Sequence, residues 1–207
     1  MNKFLVEFIG TFFLVLTVGL TVVSTAPGVV PPIAIGAILM VMIFAGGHIS
    51  GAHYNPAVSL AVLVRGKIDI RNMVGYWIVQ ILGAFAAAGV VRFIKGAAAE
   101  SAQPAIVAPV FVAEFLFTFA LAYVVLNVAT AEGTENNSFY GLAIGSTVMA
   151  GAFAVGAISG AAFNPAVVLG ATSLGLINPA SVLVYIAANL LGGVVAGLIF
   201  RAINPGD

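Results

Sequence analysis

The sequence has no cysteine, one tryptophan, two histidines, and only seven acidic and seven basic residues among 207. Each shortage excludes a class of chemistry. Without cysteine there are no disulfides, thiolate nucleophiles or thiolate metal ligands. The two histidines, His48 and His53, stand five apart, a spacing that does not place them on one helical face, which argues against a metal site. Net charge is zero and no basic cluster exists, so nucleic acid is excluded as a partner. No nucleophile–base pair or ligand set can be assembled from these residues, so neither an enzyme activity nor a cofactor is expected.

Apolar residues take the place of the missing charges. At 62% hydrophobic and a mean hydropathy of +1.18, the chain cannot solvate a water-soluble surface, and its apolar runs reach the ~20 residues that a bilayer span needs. It reads as an integral, all-α membrane protein. Spans are expected near Phe4 to Ser24, Ile33 to Gly51, Ile70 to Ile94, Ile106 to Ala129, Ser138 to Ser159 and Pro179 to Arg201. Between them lie breakers at Pro27/Pro31/Pro32, Arg65 to Asp69, Lys95 to Pro109, Thr130 to Asn137 and Leu176 to Pro179. The long Lys95 to Pro109 stretch divides the chain into halves 1–103 and 104–207. Lys3 and the apolar run after it could be read as a secretory signal, but the counterpart run from Val112 to Val128 favours a retained first span.

The halves repeat one another. Gly47 to Val58 aligns without gaps to Gly156 to Val167, bringing Asn55-Pro56-Ala57 onto Asn164-Pro165-Ala166 at an offset of 109. Glu7 and Thr11 match Glu114 and Thr118 at an offset of 107, while Ala34-Ile35-Gly36 matches Ala143-Ile144-Gly145, and Tyr76, Gln80 and Gly83 match Tyr185, Asn189 and Gly192, all at 109. Three full spans per half require the second copy to enter the membrane from the opposite side, so the repeat is inverted. Lys3, Arg65, Lys67, Arg71 and Arg201 fall on one side and only Arg92 and Lys95 on the other, which predicts cytoplasmic N- and C-termini.

After each Asn-Pro-Ala only a short apolar stretch remains, Val58 to Val64 and Val167 to Ser173. Roughly ten helical residues cover about half of a ~30 Å hydrocarbon core, so two opposed half-helices could span it together. Asn is a strong N-cap and Pro is favoured at the first helical position. The Ile-Ser-Gly-Ala stretches before them are expected to be non-helical, which at that depth is tolerable beside a water-filled cavity or inside protein.

The doubled Asn-Pro-Ala, the Ser-Gly-Ala before each copy, Glu7, Glu114 and the plan of six spans plus two re-entrant half-helices resemble the major intrinsic protein family, the aquaporins and glyceroporins. The resemblance covers essentially the whole chain. It implies an hourglass pore, usually one in each protomer of a homotetramer, in a lipid bilayer, here expected to be a cell (inner) membrane. Glu7 and Glu114 would bond loop backbone N–H groups. In the family an Arg usually follows the second Asn-Pro-Ala and forms the narrowest constriction with aromatic and polar partners. The matching positions here are Ile35, Ala152, Ala161 and Val167, all apolar, which widens the expected filter and loosens strict water specificity.

Asn55 and Asn164 are expected to cap their own half-helices through the side-chain oxygen and to donate N–H into the pore, interrupting a proton wire where two positive helix ends meet. A role as helix caps alone is the alternative. Carbonyls of Gly51, Ala52, His53, Gly160, Ala161 and Ala162 are the expected acceptor ladder, with the His53 ring in a structural hydrogen bond or, in a second reading, a pH gate. Paired glycines such as Gly83 and Gly192 are expected at close helix crossings, and Tyr76, Trp77, Tyr140 and Tyr185 at the membrane interface.

The resulting expectation is a passive channel for water and small uncharged solutes such as ammonia, urea, glycerol or hydrogen peroxide, excluding protons and ions. A proton-coupled transporter using Glu7 and Glu114 as a relay, and a structural junction protein with an occluded pore, are the competing readings.

Overall fold

The computed structural model describes residues 2–23, 26–96 and 107–207. They form eight α-helices: α1 (Asn2–Val22), α2 (Pro31–Ser50), α3 (Pro56–Arg65), α4 (Ile70–Lys95), α5 (Val107–Ala129), α6 (Tyr140–Ser159), α7 (Pro165–Ser173) and α8 (Val182–Ile203). Six are long and apolar enough to cross a membrane, and α3 and α7, at 10 and 9 residues, are the half-helices. The expected span ends Ser24 and Ile106, and the boundary between 103 and 104, lie outside the described residues.

Local chemistry explains where the helices begin. Pro31 and Pro32 do not end a loop but open α2, because the first helical positions have no intrahelical acceptor to lose. Asp69 caps α4 by accepting from the Asn72 N–H at 2.9 Å, and that bond holds its carboxyl below the usual carboxylate range. Pro179–Ser181 form a 3₁₀ turn, so α8 starts three residues later than the sequence suggests. Ile49-Ser50 and Ile158-Ser159, expected to be unwound, are the last helical residues of α2 and α6, and the non-helical stretches are the residues from Gly51 and Gly160 up to each Asn.

Packing repeats with the sequence. Helix α1 lies on α2 and α4 as α5 lies on α6 and α8, while α3 lies on α8 as α7 lies on α4, so each half-helix is housed by the other half. The exchange α1/α5, α2/α6, α3/α7, α4/α8 is the operation of the inverted repeat. Its axis runs between α2 and α6, which approach closely: a Cβ on Gly36 would stand 2.8 Å from the Gly145 carbonyl oxygen and one on Gly145 2.5 Å from that of Gly36. Gly83 and Gly192 are a second matched pair: a Cβ there would lie 2.6 Å and 2.7 Å from the carbonyl oxygens of Phe8 and Phe115. Small residues thus set the helix spacing that shapes the interior.

Charged residues cluster at the two ends of the bundle. On one face Arg65 donates to the Thr130 carbonyl at 3.3 Å, pairs with the Asp207 carboxylate and lies over the Phe200 ring. Lys3 and Lys67 border the same face. On the other, Lys95 caps the end of α1 through the Leu20 and Val23 carbonyls, at 2.7 and 2.9 Å, and Arg92 reaches the Ser173 carbonyl at the end of α7. These are called below the Lys3 face and the Lys95 face. Large apolar side chains such as Phe93, Leu183 and Ile70 are exposed on the flanks, as a hydrocarbon surround requires.

Candidate functional site

Each re-entrant loop is held by one buried carboxylate. Glu7 Oε1 accepts from the Ser50 hydroxyl at 2.7 Å and the His53 N–H at 2.9 Å, and Oε2 accepts from the Tyr54 N–H at 2.6 Å and Gln80 Nε2 at 2.8 Å. Glu114 repeats the set with the Ser159 hydroxyl at 2.7 Å, the Ala162 N–H at 3.0 Å, the Phe163 N–H at 2.7 Å and Asn189 Nδ2 at 2.9 Å. Both carboxylates are fully buried, and each takes four donors. Ser50 and Ser159 also accept from the Ala52 and Ala161 N–H groups, while Tyr76 and Tyr185 donate to the Ser50 and Ser159 carbonyls at 2.7 Å.

The loop backbone needs such anchoring. Ala52, Tyr54, Ala161 and Phe163 all have left-handed φ angles, between +48° and +55°, which side chains beyond glycine adopt at a cost of about 1–2 kcal/mol each. Loop N–H groups are drawn to the carboxylates, and the carbonyls of Tyr54 and Phe163 are presented to the other half.

Those carbonyls meet the two asparagines. Asn55 Oδ1 accepts from the Ala57 N–H at 2.8 Å and so caps α3, while its Nδ2 donates to the Phe163 carbonyl at 2.9 Å. Asn164 Oδ1 accepts from the Ala166 N–H at 2.9 Å and so caps α7, while its Nδ2 donates to the Tyr54 carbonyl at 2.9 Å. The sequence suggested amides free to face a pore. Instead, each Nδ2 bonds the other half's loop carbonyl and fastens the halves together.

Both asparagines line a conduit of about 140 Å³ between the half-helices. Ile35, Ala152, Ala161 and Val167 all line it, as do Gly160, Ala162 and His53. Apart from Tyr54, the remaining wall is aliphatic, including Leu14, Leu39, Val58, Leu121 and Val148. Gly51 instead lines a vestibule of about 530 Å³ at the Lys3 face, shared with His53, Lys67 and Thr130. Ala52 is buried. His53 Nδ1 bonds the Ser59 hydroxyl at 3.0 Å, and its ring meets Tyr76 edge-on. No group of three or more candidate metal ligands exists among the described residues.

The family model described as "Major intrinsic protein" matches residues 1–200. The chain belongs to the major intrinsic protein family. It is thus an integral membrane protein of the aquaporin and aquaglyceroporin type, a channel and not an enzyme. Glycerol uptake facilitator protein-like 6 of Lactiplantibacillus plantarum is 36% identical over 218 residues, covering all of both chains. Aquaporin NIP1-1 of Oryza sativa subsp. japonica is 37% identical over 177 residues, covering 80% of this chain and 61% of the plant protein's length. Among solved structures, the aquaglyceroporin from Plasmodium falciparum superposes with a TM-score of 0.84 at 25% identity, over 98% of this chain and 96% of that one.

Several residues of this channel's interior escape a reading by residue type. Tyr76 and Tyr185, expected at the membrane interface, are buried and hold the ends of α2 and α6. Trp77 donates to the Pro56 carbonyl at 2.9 Å, at the start of α3. Gln80 and Asn189 complete the carboxylate cages. Their signal was the shared offset of 109, which marks all four Tyr, Gln and Asn positions as places where both halves need the same group.

Proposed function

We propose that this protein is a passive channel for water and small uncharged solutes such as ammonia, urea, glycerol or hydrogen peroxide, and that it excludes protons and ions. The carrying observation is the crossed pair of asparagines, each capping its own half-helix and bonding the other loop. A water at this point meets N–H donors and the positive ends of two helices. Its oxygen turns toward the asparagines and its hydrogens away, so the donor–acceptor chain that would relay a proton is broken there. Carbonyls from Gly160 to Ala162 would receive those hydrogens on one side. Ile35, Ala152, Ala161 and Val167 offer no side-chain donor and little bulk, which supports passage of solutes besides water.

Saturation of Glu7 and Glu114 by four donors each supports a fixed, load-carrying role and speaks against a proton relay. The excess of Lys and Arg on the Lys3 face supports a cytoplasmic placement of that face, in a cell membrane. The exposed apolar flanks fit both lipid and the homotetramer usual in the family. The test is osmotic shrinkage of proteoliposomes against empty vesicles. Faster shrinkage with a low activation energy is expected, and a rate equal to lipid with protein inserted overturns the proposal in favour of an occluded structural protein.

A further inference from the structure

We infer that solutes are selected by size on the Lys3 side of the two asparagines, at a ring of Ile43, His53, Val58 and Ile144, and not at the quartet of Ile35, Ala152, Ala161 and Val167. The inference rests on the channel reading above and deepens it.

Helices α2 and α6 run antiparallel with Gly36 against Met149, Gly145 against Met40, Gly141 against Phe44 and Gly47 against Tyr140, a register that sets their conduit-lining residues in three rungs: Ile35 near Ala152, Leu39 near Val148, and Ile43 near Ile144. All six line the conduit. The repeat operation exchanges the first rung with the third, because Ile35 corresponds to Ile144 and Ala152 to Ile43. It also carries Val167 onto Val58, Ala161 onto Ala52 and Ala162 onto His53. The Lys95-side ring and its Lys3-side image therefore share Ile, Ala and Val, and differ at two places. Ile43 stands where the other ring has Ala152, and the His53 imidazole, pinned by Ser59 and Tyr76, stands where the other has the Ala162 methyl. Both differences put more side chain into the Lys3-side ring.

The shape of the internal space gives an independent indication. Toward the Lys95 face the conduit continues past Val167 to Val18, Val22, Ala171, Leu176 and Ile177. The repeat carries these five onto Val125, Ala129, Val62, Lys67 and Ile68. All five line the vestibule, a separate space that shares only His53 and Val125 with the conduit. Matching walls thus belong to the conduit at one end and to a second, adjoining space at the other, the two spaces meeting at His53 and Val125 near the level where Ile43 and His53 add bulk. A narrow apolar passage there favours water and ammonia over urea and glycerol, which need more room and more hydrogen-bond partners.

Ile35→Ala and Ile144→Ala make one chemical change at two repeat-related sites, which gives the test. Water, urea and glycerol permeabilities are measured on proteoliposomes of the full chain, normalised to inserted protein. Ile144→Ala and Ile43→Ala should each raise the urea-to-water and glycerol-to-water ratios about tenfold, and Ile35→Ala much less. An equal or larger rise from Ile35→Ala overturns the inference while leaving the channel reading intact. If the parent passes no more water than lipid, the channel reading has failed. The ring assignment then stands only if Ile43→Ala or Ile144→Ala opens a flow that Ile35→Ala does not. Should the Ala variants fail to insert, Ile43→Val, Ile144→Val and Ile35→Val decide in the same way with smaller steps.

Discussion

Asn55 Nδ2 donates to the carbonyl of Phe163 at 2.9 Å, across 108 residues of sequence and between the two halves of the chain. One amide therefore caps a half-helix through its oxygen and fastens the two halves through its nitrogen, so that electrostatics and assembly meet in one side chain.

Asn55→Asp separates those duties. The carboxylate can still cap α3 through the Ala57 N–H, but it loses the donor to Phe163 and places a negative charge at the junction of two positive helix ends. The variant should fold, retain water flow and admit protons or small cations that the parent excludes. An internal pH dye under a potassium diffusion potential reads this directly, and an unchanged proton leak would show that the barrier lies elsewhere.

Glu7→Leu should lower thermal stability more than it alters selectivity. It strands the His53 and Tyr54 N–H groups in a strained loop, at about 1–3 kcal/mol for each unsatisfied group. Glu114→Leu should behave alike, through Ala162 and Phe163. Unfolding monitored by fluorescence in detergent measures both; a variant of normal stability that loses only a proton-driven flux would restore the relay reading.

Val167→Arg should narrow the passage on the Lys95 side and restrict it toward water. Ala152 and Ala161 leave room for the guanidinium, whose donors can face pore water or loop carbonyls. Water flow should persist while urea and glycerol flow falls, measured on the same vesicles. Equal solute flow in parent and variant would show that a side chain at position 167 does not reach the passage.

Gly145→Ala should destabilise by about 1–3 kcal/mol, because its methyl would meet the Gly36 carbonyl and push α2 from α6. Gly156→Ala, in the same helix with open space around the new methyl, is the comparison and should be tolerated. Equal melting temperatures for the two would mean that the crossing is softer than its geometry implies.

Much of this architecture was legible because its causes are written in residue type. Span length follows from apolar run length, half-helix starts from Asn-Pro, and the inverted plan from matched offsets with an odd span count. What escaped were properties of contact. Nothing in Tyr76 says whether its ring faces headgroups or the end of α2, since an aromatic suits both. Asn55 shows a cap but not the destination of its amide, because Phe163 becomes its neighbour only after both halves fold. The Lys3-side ring was equally hidden: Ile43 reads as an ordinary apolar residue until the repeat sets it at the place equivalent to Ala152.

Housing each half-helix in the opposite half has a consequence for biosynthesis. When α3 enters the bilayer, α8, whose Gly193 receives the Ala57 carbonyl against its backbone, has not been made. Until then α3 lacks one wall of its seat, and Asn55 gains its Phe163 partner only with the second re-entrant loop. The seat of α3 is thus completed only when the last helix has been made, so the first half cannot reach its final packing on its own.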